Sequence, residues 1–469
     1  MAVATAVGRD VPASFVDEFG RLEHLRGFEP AWLRGIRRDA FERARETGLP
    51  TSRDEEWRFT SVAPIAALPF SAAPHAAVDE AWVRSHSLAD GSAAELVFVD
   101  GRYVPHLSRV NGLPRGVEAR SLARILDADG ALIGPHLART AAGPVFAALN
   151  TSLFEDGAFI RLSPDTVVAS PISLLFISTL PDRMAMVHPR MFVAAGPGSQ
   201  AQIVERYISV HHGAGLTNAF TQFLIADRAV VDHYRLQDES LYAIHIGAVE
   251  ARLDRGGAFT SSSFTIGGAL VRNDVTAILG GEGGECTLNG LYLAAGDQLV
   301  DNHTLIDHTA PRCTSHEIYR GILDETAHAV FNGKIIVRQD AQKTDARQTN
   351  RALLLSEAAH INTKPQLEIF ADDVKCTHGA AVGQLDDESM FYLQARGIGR
   401  QAARGMLIRA FAGEIVDRVK LSDLRARLKV MLDAWLTRSA EAHSDLATAG
   451  PDVGPSGAEA QLSPSRGNG

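Results

Sequence analysis

Cysteine is scarce: Cys286, Cys313 and Cys376 are the only three in 469 residues. An odd, sparse set is no disulfide framework and fits reduced thiols, some of them buried as small hydrophobes. Positive charge is in deficit, with 46 Lys and Arg against 56 Asp and Glu, for a net charge of −10. That balance argues against nucleic acid as the main partner, because phosphate recognition wants a basic face. No run of 18 apolar residues occurs, so no membrane span is expected. Met1 to Phe15 lacks a basic stretch followed by an apolar one, so no secretory signal is read and a cytoplasmic protein is expected. What is present is ordinary globular composition, 45% hydrophobic and 22% charged, in a chain long enough for a large core.

Three textures follow one another. Residues 1–142 form a mixed, mainly helical region. Its clearest helix has Pro30 at the first helical position, an apolar stripe of Leu33, Ile36, Ala40 and Ala44, and Gly48 as its stop. Residues 61 to about 140 are rich in Ala, Pro and Gly and give no assignment. From 143 to 385, helical periodicity gives way to short β-branched and aromatic runs such as Ile172–Ser178 and Gln202–Val210. Turn signals divide these runs at Gly256-Gly257, Gly267-Gly268, Gly280-Gly281, Gly283-Gly284, Gly296-Asp297 and Asn332-Gly333. A sandwich, a barrel and a solenoid all fit such a pattern. The length of the β region favours a solenoid, although no clean repeat is visible. Residues 386–438 are helical again, with Leu407, Phe411, Ile415 and Val419 recurring at i, i+4, followed by a second amphipathic helix from Ser422. That apolar surface packs on the protein's own core, serves a partner, or does both. From 439 to 469, Ala, Ser, Gly and Pro dominate, and a disordered tail is expected.

Two glycine patterns look like nucleotide sites and are not. Gly196-Pro197-Gly198-Ser199-Gln200-Ala201 leads into a strand where the dinucleotide fingerprint needs a helix, and Gly397-Ile398-Gly399 follows a helix where it needs a strand. Asp301, His303, Asp307, His308, Cys313 and His316 resemble zinc ligands as a list. Their spacing matches no established short-loop pattern, and a structural role is favoured.

The segment Asp372-Asp373-Val374-Lys375-Cys376-Thr377-His378-Gly379 reads as a strand or strand end. On a strand, i and i+2 share a face about 6.5–7 Å apart, so Cys376 and His378 project together with Asp372, while Asp373 and Lys375 point away. A thiolate and an imidazole so placed can converge on one iron ion. Taken alone, the pattern favours a partly buried cysteine beside a surface histidine.

Longer strings carry a resemblance. Asp345-Ala346-Arg347-Gln348-Thr349-Asn350-Arg351 runs on through Ile361-Asn362-Thr363-Lys364-Pro365-Gln366-Leu367-Glu368-Ile369. The Asp372–Gly379 segment follows, and then Phe391-Tyr392-Leu393-Gln394-Ala395-Arg396-Gly397. Together they resemble the SufB/SufD family of iron–sulfur cluster assembly scaffolds, densely over roughly 285 to 420. Leu49-Pro50-Thr51-Ser52-Arg53-Asp54-Glu55-Glu56-Trp57-Arg58-Phe59-Thr60 is similar to the SufD branch.

The resemblance implies a mainly β protein, a right-handed parallel β-helix flanked by helical terminal regions, and a scaffold with no catalysis of its own. It implies pairing with a SufB-like subunit, β-helix to β-helix, and binding of a SufC-like ATPase through the helices at roughly 398–436, where Leu407, Phe411, Ile415 and Val419 lie. It implies a transient iron–sulfur cluster or iron shared with the partner, with His378 as the contributed ligand and Cys376 beside it. Three cysteines do not supply the four thiolates of a stable all-cysteine cluster, which suits mixed and releasable ligation. Flavin, implicated for the family's complexes, leaves no trace in the sequence, and a homodimer in the partner's absence stays open. Two rival readings compete with this one. One is a SufB-like scaffold with Cys376 as persulfide acceptor, against which no cysteine precedes Cys286. The other is an intracellular β-helix carbohydrate enzyme using Asp372 and Asp373, whose side chains, as strand neighbours, cannot flank one bond.

Overall fold

The computed structural model describes residues 9–73, 76–88, 91–126, 130–179 and 184–448. Its centre is a parallel β-solenoid of about 7 turns with helices at both ends of the chain. The strands form an 11-stranded sheet A and a 10-stranded sheet B; from Arg190–Ala195 onward they alternate between the two, each pairing in parallel with the strand two places on in the chain. Glu285 pairs with Thr314, Thr314 with Asp345, and Asp345 with Lys375, a repeat of roughly 30 residues. The coils vary in length, from Ile244 paired with Leu270 to His328 paired with His360, and share no consensus, which is why no repeat is visible in the sequence.

The corners explain the turn signals. Gly198, Arg228, Gly256, Gly283, Arg312 and Lys343 all have φ between 57° and 73° and occupy equivalent corners of successive coils. The amide of each donates to a carbonyl one coil further on, for example Gly256 to Glu282 and Gly283 to Pro311. Glycine enters this left-handed conformation freely, whereas at Arg228, Arg312 and Lys343 the amide hydrogen bonds to the next coil offset its cost, with ion pairs at Arg312 and Lys343. Asn332-Gly333 departs from the expectation. It lies in the middle of strand His328–Val337 rather than in a turn.

Inside the solenoid, apolar columns such as Phe223, Ala251, Ala277, Ile306 and Ile335 form the main core. Polar columns run beside them. Glu205 accepts from Thr221 at 2.7 Å and pairs with His233 at 3.2 Å. His245 meets Glu239 at 2.6 Å, and Asn273 bonds Asn302 at 3.2 Å. Such pairing offsets much of the cost of burying polar groups.

The outer faces are covered unequally. Helices Ala13–Leu25, Ala31–Thr47 and Val145–Leu153 bury Phe15, Phe41 and Leu149 against Leu216, Ile244, Ile246 and Leu270 of sheet A. Helices Arg400–Val416 and Ser422–Thr448 bury Ile408, Ile415, Leu428 and Trp435 against Tyr234, Leu236, Phe264, Leu291 and Ile322 of sheet B. The helix expected after Pro30 is Ala31–Thr47, with Pro30 just outside it and Gly48 closing it at φ 66°.

Three boundaries move. Ala94–Val99 and Val117–Ser121, in the region that gave no assignment, already pair with Ile172–Ser178 and Gly157–Leu162, so the β core begins well before 143. Helix Val145–Leu153 conversely lies beyond that boundary. The last helix continues to Thr448 where a tail was expected from 439; residues 449–469 of that tail lie outside the described residues.

Candidate functional site

The final coil consists of strands His360–Ile369 and Lys375–Gly383, which end sheets A and B. Each has a neighbour on one side only. Helix Asp387–Ala395 follows but buries none of its residues, so the described residues place no cap over this end. Nearly every residue of Lys375–Gly383 is exposed, and Cys376 alone is half-buried.

Register fixes which face carries the chemistry. Cys376 stands opposite Ala346 and His378 opposite Gln348, and both of those residues are buried inside the solenoid. Cys376 packs against the main core, and His378, two residues on, projects from the same strand face at the solenoid mouth. Thr377 lies on the outer face. The strand begins only at Lys375, so Asp372 lies in the preceding bend rather than on this face. Asp373 there pairs with Lys343 at 3.2 Å.

Burial pushes the Cys376 thiol up, the Asp345 carboxylate adds to this, and the Ala346 amide opposes it. It is therefore a resting thiol, not a pre-activated nucleophile. Cys286 lies on the same inward column three coils below, where burial pushes its thiol up and Glu317 adds to the effect. Cys313 sits at a corner, its thiol donating to the Gly281 carbonyl at 3.4 Å. Both are buried.

Beneath His378 the inward column continues through Gln348 to Glu317. Gln348 Nε2 donates to Glu317 Oε2 at 2.7 Å. Burial without a cation raises the Glu317 carboxyl to about 7, partly offset by the Gln348 and Thr304 hydrogen bonds. Sequence reading missed these two residues. The only signal was alternation at i, i+2, with Glu317 two places after Ser315 and Gln348 two places before Asn350.

The residues that resembled zinc ligands are dispersed. His308 is buried against Ser315 Oγ at 2.9 Å, Asp307 pairs with Arg338, and His316 points outward. Asp301 and His303 hold down the N-terminal segment instead. Asp301 pairs with Arg272 at 2.8 Å and His303 at 2.9 Å, and accepts from Thr60 at 2.5 Å. Arg272 also donates to the Glu56 carbonyl at 2.6 Å and stacks 3.8 Å over Trp57. His303 Nδ1 lies 3.2 Å from Glu56. This network docks the Leu49–Thr60 segment on sheet A, beside a cleft of about 780 Å³. Among the described residues, no group of three His, Cys, Asp or Glu side chains is arranged to hold a metal. Cys376 and His378 are two donors, so any iron held there needs further ligands from elsewhere.

The chain matches two family descriptions: "SUF system FeS cluster assembly, SufBD core domain" over residues 176–411, and "SufBD protein N-terminal region" over 21–174. It is 33% identical over 412 residues to an iron–sulfur cluster assembly SufBD family protein of Synechocystis, covering 86% of this chain and 91% of that protein. The chain belongs to the SufB/SufD family. Its likeness extends to the iron–sulfur cluster assembly protein SufD of Escherichia coli, 33% identical with 81% and 88% covered. SufD of Bacillus subtilis is 25% identical over 88% of this chain and 97% of that protein. The chain is thus a SufB/SufD-family scaffold protein for iron–sulfur cluster assembly, on the SufD-like branch.

The helical face expected to meet an ATPase is largely used internally. Ile415 and Val419 are buried against sheet B, while Leu407 and Phe411 are half-buried, Phe411 against the same cluster. An i, i+4 stripe marks the side that faces the solenoid. The outward residues are Met406 and Val430, 47% and 68% exposed.

Proposed function

We propose that this chain acts as the SufD-like half of a paired scaffold. Its last coil abuts the β-solenoid of a SufB-like subunit, and His378 with Cys376 contributes iron ligation at the junction. The observation that carries this reading is the uncapped mouth of the solenoid, where two edge strands present unpaired backbone groups and both donors on one face. The SufC-like ATPase would be bound by the outward surface of the C-terminal helices around Met406 and Val430, since Ile415 and Val419 are occupied. The cluster or iron held is cargo, passed on after assembly, so a two-donor half-site that opens when the partners part serves it better than a closed cage.

The test is His378→Ala in the co-expressed assembly. Subunit stoichiometry should be kept while bound iron falls severalfold. Normal iron loading in the assembled variant would sink the site. A native pull-down lacking a SufB-like subunit would sink the pairing.

A further inference from the structure

Gln348 is 2% exposed and lies directly beneath His378 in the register, one strand spacing of about 4.8 Å away. Its amide is anchored at one end only. Nε2 donates to Glu317 Oε2 at 2.7 Å, whereas Oε1 is buried with no hydrogen-bond partner. Above about pH 7 the Glu317 carboxyl is ionised and only accepts, so it takes the N–H end of the amide and leaves the carbonyl free. The opposite wall is shaped around this amide: a Cβ on Gly333 would sit 2.1 Å from Gln348 Nε2. A buried acceptor with nothing to accept from is costly; the interior holds others, but this one lies directly beneath a residue of the open edge strand.

The geometry points to Gln348, held by Glu317, as the positioning residue for His378: its side-chain carbonyl accepts the imidazole N–H and so selects the ring nitrogen left for iron. The inference rests on the reading of His378 as an iron ligand and deepens it. Metal-bound histidines commonly donate their second N–H to a carbonyl or carboxylate, which fixes both tautomer and ring orientation. Here the acceptor comes from the inside of the solenoid, so the coil beneath, and not the partner, would set the angle at which His378 meets the metal. Glu317 never reaches the metal in this arrangement. It keeps the amide from flipping, which would present an N–H to the ring instead of a carbonyl.

The decisive measurement is 15N NMR of the histidine-labelled full chain at pH 8.5, with His378→Ala used to assign the His378 signals. In the wild type, His378 should show a single tautomer. Gln348→Met, which keeps the side-chain length and removes the amide, should show the mixture seen for free imidazole in water. A water-like mixture in the wild type overturns the inference without any variant having to fold, and so does a single tautomer that survives in a folded Gln348→Met protein. Fe(II) titration of the chain assembled with its partner subunits supplies the second readout. Gln348→Met should weaken binding roughly 10- to 100-fold, as loss of a supporting hydrogen bond does at metal sites. Weakening by His378→Ala but not by Gln348→Met would overturn this inference and leave the His378 reading standing. No effect of His378→Ala would remove both.

Discussion

The ion cluster under the N-terminal segment makes a pH-dependent contribution to stability whose sign and size follow from its geometry. Burial works against a charged His303, but the Asp301 carboxylate 2.9 Å away outweighs it and Glu56 adds, holding the imidazole at about 9 against an ordinary 6.5. A group whose pKa is raised on folding stabilises fully below its unfolded value, and the contribution is lost as pH rises through the folded value. The window is therefore pH 6.5 to 9, and stability falls on the alkaline side. At 1.36 kcal/mol per pKa unit, the rise from 6.5 to about 9 is worth about 3 kcal/mol. Asp301 is held down, against burial, first by Arg272 and then by His303, and the His303 part is the same contact. His303→Gln keeps a neutral donor at the site and removes the titration. The perturbation is best read as the difference in urea-unfolding free energy between wild type and variant, followed by tryptophan fluorescence because Trp57 lies in the docked segment. That difference should be about 3 kcal/mol at pH 6 and mostly gone by pH 10, since lysines and tyrosines titrate alike in both proteins. A difference that is flat or growing over this range would refute the reasoning.

Other perturbations separate the interior from the mouth. Gly333→Ala drives a methyl to 2.1 Å from the buried Gln348 amide and should cost about 1–3 kcal/mol, seen as a lowered Tm; an unchanged Tm would mean the amide moves freely. Trp435→Ala removes a side chain 3% exposed between the last helix and sheet B and should cost about 3–5 kcal/mol in thermal or urea unfolding. His378→Ala on the exposed last strand should leave stability within about 0.5 kcal/mol, and a larger loss would place His378 in the core rather than at a free mouth.

Much of this architecture was legible because its causes are local. Pro30 and Gly48 bracket a helix in the sequence as they do in the structure, and the glycine doublets at 256 and 283 are the left-handed corners their conformational freedom suggests. Long-range causes were not legible. Arg312 and Lys343 take the same corner conformation as those glycines because neighbouring coils hold them there, which no local pattern reveals. Gly333 reads as a turn next to Asn332, yet it is a mid-strand glycine making room for a side chain from the opposite sheet. The apolar stripe of Ile415 and Val419 was correctly seen as needing cover, but periodicity does not say whose surface covers it. At the mouth, the i, i+2 rule brought Cys376 and His378 together. Gln348 and Glu317 needed the register between coils, a relation across about 30 residues each, to come into view.

The open edge itself is testable at the level of single amides. In a parallel pair, the N–H groups of alternate residues point to the same neighbour. The Lys375 amide donates to the Thr344 carbonyl at 2.8 Å, so those of Thr377 and Gly379 turn toward the solenoid, and those of Cys376, His378 and Ala380 turn outward. Proline lacks that hydrogen and is tolerated on an edge strand only where it would face outward. Ala380→Pro should therefore keep the fold and Tm of the isolated chain, yet block a partner strand from continuing the sheet, whereas Gly379→Pro should lower Tm by breaking the chain's own ladder. Size-exclusion chromatography of each variant co-expressed with a SufB-like subunit separates the two effects. If Ala380→Pro elutes as a normal complex, the partner does not extend this sheet, and the two solenoids must meet through side chains alone.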